Sequence, residues 1–103
     1  MKTSKSSTGI KKTEKLNLFE DQFMSHEARE ILINIYQSKI QYYKLKNYSS
    51  QVQFEKDDSQ AQKRIPMLNG ELKKLKDILA DAQAKNQNVV IHSDISISLV
   101  DKK

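Results

Sequence analysis

The chain of 103 residues has no cysteine and no tryptophan, one proline and two glycines. Without cysteine it can form neither a disulfide nor a thiolate metal site. With only three residues that favour sharp turns, it cannot make the many reversals of an all-β domain, so we expect few, long elements. It also has no apolar run of the length that a membrane span or a secretory signal needs. We therefore expect a soluble cytoplasmic protein.

The net charge of +5 is concentrated at the two ends of the chain. Five lysines and one glutamate give residues 1–15 a charge of +4, whereas residues 16–100 hold eleven basic and eleven acidic side chains. A polar segment rich in lysine cannot bury a core, so we expect a disordered basic tail over residues 1–15 and a short tail over 101–103. Residues 16–100 are predicted to form a single domain.

The clearest pattern lies in the second half of the chain. Seven apolar residues follow one another in steps of four and three: Ala61, Ile65, Leu68, Leu72, Leu75, Leu79 and Ala82. This is the spacing of a coiled-coil seam along one face of a helix. Because a seam of this width has to be covered by another helix, the pattern predicts helix packing.

A first helix is predicted from Ser25, as its N-cap, to about Lys56. Its heptad positions carry Ala28, Ile31, Ile35, Tyr42, Leu45 and Val52, with Ser38 and Ser49 at the two gaps. We expect Ile31, Ile35, Tyr42 and Leu45 to form the core or oligomer seam with Ile65, Leu68, Leu72, Leu75 and Leu79. A further apolar set lies off this seam, which indicates that the helix has two neighbours: Leu32, Tyr36, Ile40 and Tyr43.

The reversal between the helices is predicted at Asp57 and Asp58. Ser59 with Gln62 three residues later fits a capping box that opens the second helix. Pro66 leaves two alternatives, a helix from Ser59 that is kinked near the proline, or an irregular connection followed by a helix that begins with it. The unbroken phase of the seam favours the kinked helix.

After Asn86 and Asn88, which are suited to end the second helix, the apolar period changes to two. The apolar positions of this predicted strand are Val89, Ile91, Ile95, Ile97 and Leu99. A single strand needs a hydrogen-bonding partner. The candidates are residues 16–19, a fold-back around residues 92–94, less favourably residues 51–55, and the same strand of another copy.

These elements predict a mainly α fold, an antiparallel two-helix hairpin of coiled-coil type with a C-terminal β-strand. A two-layer hairpin of this size cannot complete a core, since small single cores are marginally stable. We therefore expect oligomerisation to complete a four-helix bundle.

The residue types do not favour catalysis. The chain has no cysteine nucleophile, no glycine-rich phosphate loop, and no grouping of serine, histidine and acid that this architecture would bring together. His26 with Glu30, one helical turn apart, is the only pair that resembles a metal site, and zinc sites need three or four ligands. We expect no enzymatic activity, no metal and no cofactor.

Two functional hypotheses follow. The first is a homo-oligomeric assembly or protein-interaction module, in which Ile91, Ile95, Ile97 and Leu99 of the strand dock onto a protein partner or pair between copies. The alternative is a small nucleic-acid-associated protein that uses the lysine tail and a helical stripe of Tyr36, Lys39, Tyr43 and Lys46. The same stripe also fits an ordinary helix interface, and no membrane partner is expected.

Overall fold

The structure, a computed structural model, describes residues 10–102. Four elements follow in chain order: strand β1 (Ile10–Phe23), helix α1 (Ser25–Phe54), helix α2 (Ser59–Ala84) and strand β2 (Val89–Val100). They form two compact units, a helical hairpin over residues 23–89 and a β-ribbon made of residues 10–22 and 90–102. The predicted helical hairpin and C-terminal strand are confirmed, and β1 is an additional element.

The N-cap of α1 is Met24, and the predicted cap, Ser25, is the first residue of the helix. The backbone N–H of Met24 donates to the Glu27 carboxylate at 3.0 Å. A carboxylate in the first turn also interacts favourably with the positive end of the helix dipole, so Glu27 contributes to fixing the start of the helix.

Asn47 of α1 holds the connection between the helices. Its amide oxygen accepts the backbone N–H of Asp58 at 2.7 Å, and its Nδ2 donates to the Asp57 carboxylate at 3.2 Å. The Asp58 carboxylate in turn accepts the N–H of Ala61 at 2.9 Å, which makes Asp58 the N-cap of α2. The predicted reversal is confirmed, but the cap is one residue earlier than Ser59. A charged carboxylate complements the helix N-terminus better than a hydroxyl.

Helix α2 continues through Pro66, so the alternative in which the helix begins at the proline is wrong. Proline removes the donor that would pair with the carbonyl of Gln62. Both residues are exposed, so water can satisfy that carbonyl.

Both helices end with a non-glycine residue in the left-handed conformation. Glu55 has φ 57° and its N–H donates to the carbonyl of Gln51 at 2.9 Å. Asn86, predicted as an exit residue, has φ 54°, and the N–H of Gln87 reaches back to the carbonyl of Ala82 at 2.8 Å. These bonds satisfy carbonyl groups at the ends of the helices.

The core of the hairpin lies between one face of α1 and one face of α2. All seven residues of the predicted α2 seam are buried or half-buried: Ala61, Ile65, Leu68, Leu72, Leu75, Leu79 and Ala82. From α1, Ile40 and Tyr43 are buried in the same cluster as Ala61 and Leu68, and Tyr36 is half-buried against it. We call Leu32, Tyr36, Ile40 and Tyr43 the inner stripe of α1.

The predicted seam of α1 is not the face that packs on α2. Tyr42 and Leu45 are each 57% exposed, and Ile35 and Val52 are exposed as well. Within one chain these residues do not form the core with α2, and their place in an oligomer seam stays a prediction. Both apolar sets of α1 recur at helical spacing, and the inner stripe is the one that packs against α2.

Strands β1 and β2 form a two-stranded antiparallel ribbon. The hydroxyls of Thr13 and Ser98 lie 3.0 Å apart, and the Glu20 carboxylate lies 4.0 Å from Nδ1 of His92. Later residues of β1 therefore lie beside earlier residues of β2, as in antiparallel pairing. Of the candidate strand partners, residues 16–19 are the right one, within a longer strand. Residues 10–15, predicted as part of a disordered tail, belong to β1, and residues 1–9 of that tail lie outside the described residues.

Candidate interaction surfaces

The tyrosine–lysine stripe predicted as a nucleic-acid contact lies against α2. Tyr43 is 7% exposed, and the half-buried Tyr36 donates its hydroxyl hydrogen to the Glu71 carboxylate at 2.9 Å. The ammonium of Lys46 also hydrogen-bonds to a side chain of α2, which leaves Lys39 as the exposed member. A base cannot stack on a ring that another helix covers. The covered rings offer little surface for stacking, and the stripe lies largely in the helix interface. Its contact with nucleic acid stays a prediction.

The environment of Tyr36 also changes its acidity. Burial raises its pKa above the ordinary value of 10.0, and the hydrogen bond to Glu71 and the charge of that carboxylate raise the pKa further. All three effects oppose the appearance of a second negative charge at this position. The phenol therefore stays protonated and remains a donor to α2 at neutral pH.

The exposed heptad row of α1 is a separate surface, which we call the outer seam. It comprises Ile31, Ile35, Ser38, Tyr42, Leu45, Ser49 and Val52. Ile31 is half-buried and the other six are exposed. A regular row of apolar side chains in steps of four and three is the pattern by which one helix packs against another. The inner stripe already serves α2, so the outer seam is available to a further helix.

The outer seam has a groove at Ser38. Asn34, Gln37, Gln41, Tyr42 and Leu45 line this groove together with Ser38. It forms because serine is much smaller than the tyrosine and leucine that follow it in the row. The amides around it can donate and accept hydrogen bonds. A large side chain that ends in a polar group fits a groove lined by these residues.

The exposed ring of Tyr42 contacts the buried ring of its neighbour Tyr43. The ring centroids lie 5.0 Å apart and the ring planes meet at 73°, an edge-to-face contact. Such pairs add about 0.5–1.5 kcal/mol beyond the area that they bury. The buried neighbour therefore positions an exposed ring on the outer seam.

Aliphatic side chains from both strands share one face of the ribbon. Side chains alternate along each strand, so the contact between Thr13 and Ser98 places their immediate neighbours on the opposite face. That face carries exposed apolar side chains from both strands: Leu16, Leu18, Ile95, Ile97 and Leu99. We call it the ribbon face. Ile95, Ile97 and Leu99 belong to the predicted strand-pairing set, whose fourth member, Ile91, is buried.

Sequence reasoning offered residues 16–19 only as one of several candidate partners of the C-terminal strand, and it did not assign Leu16 and Leu18 to a face. Their spacing of two residues was the available signal. The rest of β1 is mostly polar, and its partner strand lies more than sixty residues away in the sequence, which makes a local pattern weak.

The outer edge of β2 is suited to accept another strand. Within the described residues β1 is the one strand neighbour of β2, so the other edge of β2 has no paired strand. Residues 95–100 contain no charged residue and no proline. Strand β1 instead contains Lys12 and Lys15, and charged side chains discourage edge pairing.

A cleft of about 490 Å³ lies between α1 and α2. Its lining is His26, Arg29, Glu30, Ile33, Asn34, Gln37 and Lys76, which includes no hydroxyl or thiol nucleophile. Over residues 10–102, no three side chains of histidine, aspartate or glutamate are grouped so that they could hold a metal ion. Neither α1 nor α2 combines the length and the apolar character of a membrane-crossing helix.

Comparison of the chain with models of protein families, with curated proteins and with solved structures gave no match. The functional assignment therefore depends on the two surfaces described above.

Proposed function

We propose that the protein is a non-enzymatic assembly module whose helical hairpin associates with a second copy along the outer seam of α1. The observation that carries this proposal is the exposure of Ile35, Tyr42 and Leu45 at heptad spacing, outside the core that α1 forms with α2. Apolar surface that is removed from water contributes about 25 cal/mol per Å². A helix that packs along the outer seam removes these side chains from water and gains this free energy.

The size of the hairpin supports association with another copy. Its core consists mainly of one stripe from each of two helices, and cores of this size contribute only a few kcal/mol of net stability. Pairing through the outer seam adds a second layer on the face of α1 that adjoins the inner stripe. Two hairpins then make a four-helix assembly in which each α1 has a helical neighbour on both apolar faces.

The ribbon is the docking element of the proposal. The free edge of β2 accepts an extended segment in which apolar and polar residues alternate, and the chain's own β2 is a segment of this kind. Main-chain hydrogen bonds supply affinity, while Ile95 and Ile97 select apolar partners. A fluorescent peptide of residues 89–100 is the probe. We expect binding to the full chain, weaker binding to Ile97→Asp, and no change for the neighbouring Ser96→Ala; no binding to any of them contradicts strand addition.

Light-scattering-coupled size exclusion tests the assembly. We expect a mass that is a multiple of 11.9 kDa and is unchanged at high salt, because the outer seam is apolar. Leu45→Asp should reduce the mass to that of one chain while the helical circular dichroism signal is kept. Lys44→Asp, at an exposed position beside the seam, is the control and should keep the multiple. A wild-type chain that stays at 11.9 kDa at high concentration contradicts the proposal.

A third variant separates association from folding. Leu72 belongs to the α2 seam and is packed against the hairpin core. Leu72→Asp places a charge at the helix interface, so it should abolish helicity together with association. Following nucleic-acid absorbance on the same chromatographic peak tests the alternative hypothesis, in which the lysine tail and the stripe of Tyr36, Lys39, Tyr43 and Lys46 bind nucleic acid.

A further inference from the structure

The side chains of the outer seam follow an order of sizes. Reading from residue 31, the row is large, large, small, large, large, small, large, with the serines at positions 38 and 49. Ser38 lines the shallow groove, and Tyr42, the bulkiest residue of the row, follows one turn later. Each copy therefore carries both a notch and a group of the size to fill it.

We propose that two copies pair along their outer seams in the antiparallel direction, with the Tyr42 ring of each copy seated in the Ser38 groove of the other. This pairing rests on the proposed function, because it specifies how the second copy binds. The same two-fold arrangement places Ile35 opposite Leu45, and Ile31 opposite Ser49. Each serine then faces a large side chain, and the Ile35–Leu45 layer between the two serine layers joins two aliphatic ones.

Parallel pairing of the same helices packs poorly. It sets every residue against its own twin, so Ser38 faces Ser38 and Tyr42 faces Tyr42. Two serine layers leave voids, while the tyrosine layer is crowded. Voids and overpacking both destabilise a close-packed interface. The antiparallel pair avoids both problems with the same residues.

The neighbouring antiparallel registers are also inferior. Sliding the helices by one heptad, which is two steps of the row, sets Ser38 against Ser49 in one direction and gives two empty layers. In the other direction it sets Ile35 against Ser38 but leaves Leu45, Ser49 and Val52 beyond the overlap. A slide of a single step sets either Tyr42 or Ser38 against its own twin. The register with Tyr42 in the groove fills both notches and sets neither residue against its twin.

The groove also suits the polar end of the tyrosine. Asn34, Gln37 and Gln41 line it, and their amides can bond to a phenol hydroxyl. A buried tyrosine usually needs such a partner. The residues that directly precede Ile35, Tyr42 and Ser49 are uncharged, so pairing removes no charge from water along that flank.

Distances between spin labels test the direction and the register. The chain has no cysteine, so Glu30→Cys and Lys44→Cys each give one labelling site, and both positions are exposed and off the outer seam. With a rise of about 1.5 Å per residue, the proposed register separates the two labels of a dimer along the helix axis by about 30 Å at position 30 and about 12 Å at position 44. Parallel pairing gives the same distance at both positions.

The outcomes separate the register from the proposed function. A dimer with a clearly longer distance at position 30 than at 44, and a measurable axial offset at 44, supports the register. A dimer with equal distances at the two positions overturns it and leaves the assembly proposal standing. A register with Ser38 opposite Ser49 brings the labels at 44 almost level and also overturns it. A monomeric wild-type chain overturns the assembly proposal itself.

Filling the groove gives a second, independent measurement. Ser38→Leu occupies the space meant for Tyr42, so we expect the dissociation constant of the dimer to rise about tenfold or more. Lys44→Leu adds the same side chain off the seam and should leave it unchanged. If Ser38→Leu tightens the dimer, a serine layer faces another serine layer, and the proposed register is wrong. Circular dichroism checks that both variants keep their helices.

Discussion

The hydroxyl of Tyr36 on α1 donates a hydrogen bond to the carboxylate of Glu71 on α2, across 2.9 Å. The bond joins residues that are thirty-five positions apart, and it lies at the rim of the apolar cluster that contains Ile40 and Tyr43. The Glu71 carboxylate supplies the hydrogen-bond acceptor that the half-buried phenol of Tyr36 needs. This hydrogen bond therefore links α1 to α2 beside the apolar contacts of the inner stripe.

The raised pKa of Tyr36 predicts a loss of stability in alkali. Because its folded-state pKa lies above the unfolded value of about 10.0, the contribution of this group is fully present below pH 10 and is lost as the pH rises through the folded-state pKa. We expect Tyr36→Phe to remove a late-ionising component from the tyrosinate absorbance titration. Glu71→Gln removes the negative charge and should lower the pKa of Tyr36. If Tyr36→Phe instead removes a tyrosine that ionises at the ordinary pKa of about 10.0, the raised pKa of Tyr36 is contradicted.

Leu79 and Ile78 are adjacent on α2 and differ in burial. Leu79 is 2% exposed, whereas Ile78 is 53% exposed. We expect Leu79→Ala to lower the free energy of unfolding by about 2–5 kcal/mol, since it leaves a cavity in the core. Ile78→Ala should change it by about 0.5 kcal/mol or less. Urea denaturation followed by circular dichroism at one protein concentration compares the two, and similar losses for both would count against the observed orientation of α2.

Asp58 and Ser59 compete as the N-cap of α2 in the sequence, and the structure assigns the cap to Asp58. Asp58→Ala leaves the N–H of Ala61 without its side-chain acceptor, so we expect a loss of about 1 kcal/mol. Ser59→Ala should be nearly neutral. The comparison is made by thermal unfolding, and a larger effect at Ser59 would restore the capping box predicted from the sequence.

The contact between Thr13 and Ser98 predicts a cross-strand disulfide. With the two hydroxyls 3.0 Å apart, cysteines at these positions lie within the range that an S–S bond can bridge. Thr13→Cys combined with Ser98→Cys should oxidise within one chain and migrate faster on a non-reducing gel. The pair Thr13→Cys with Asp94→Cys is the control and should stay reduced. Equal oxidation of both pairs would show that the strands are not held in this register.

Much of the hairpin could be predicted from local sequence. The α2 seam recurs over twenty-two residues without a break, so its buried face follows from spacing alone. Asp57 and Asp58 interrupt the apolar pattern at the reversal, and Asn86 ends α2 because its short polar side chain tolerates the left-handed conformation. The exact capping residue was less predictable, since aspartate and serine stand side by side.

Strand β1 could not be predicted to its full length. Its first six residues are mostly charged or polar, a composition that is typical of a tail. What makes them a strand is a hydrogen-bonded ladder with β2, and that partner lies at the other end of the chain. Pairing between distant segments leaves little trace in the sequence of either segment, especially where both faces of a strand can meet water.

The sequence by itself determined two helices, the reversal between them, the buried face of α2 and the strand at the C-terminal end. Only the tertiary structure decided which apolar face of α1 meets α2. Both faces have helical spacing, so hydrophobic periodicity could not rank them. The face with Tyr36 and Tyr43 packs against α2, because there the rings are removed from water while Glu71 accepts the hydrogen bond of the Tyr36 hydroxyl. That choice leaves Ile35, Tyr42 and Leu45 on the surface, where a second copy can cover them.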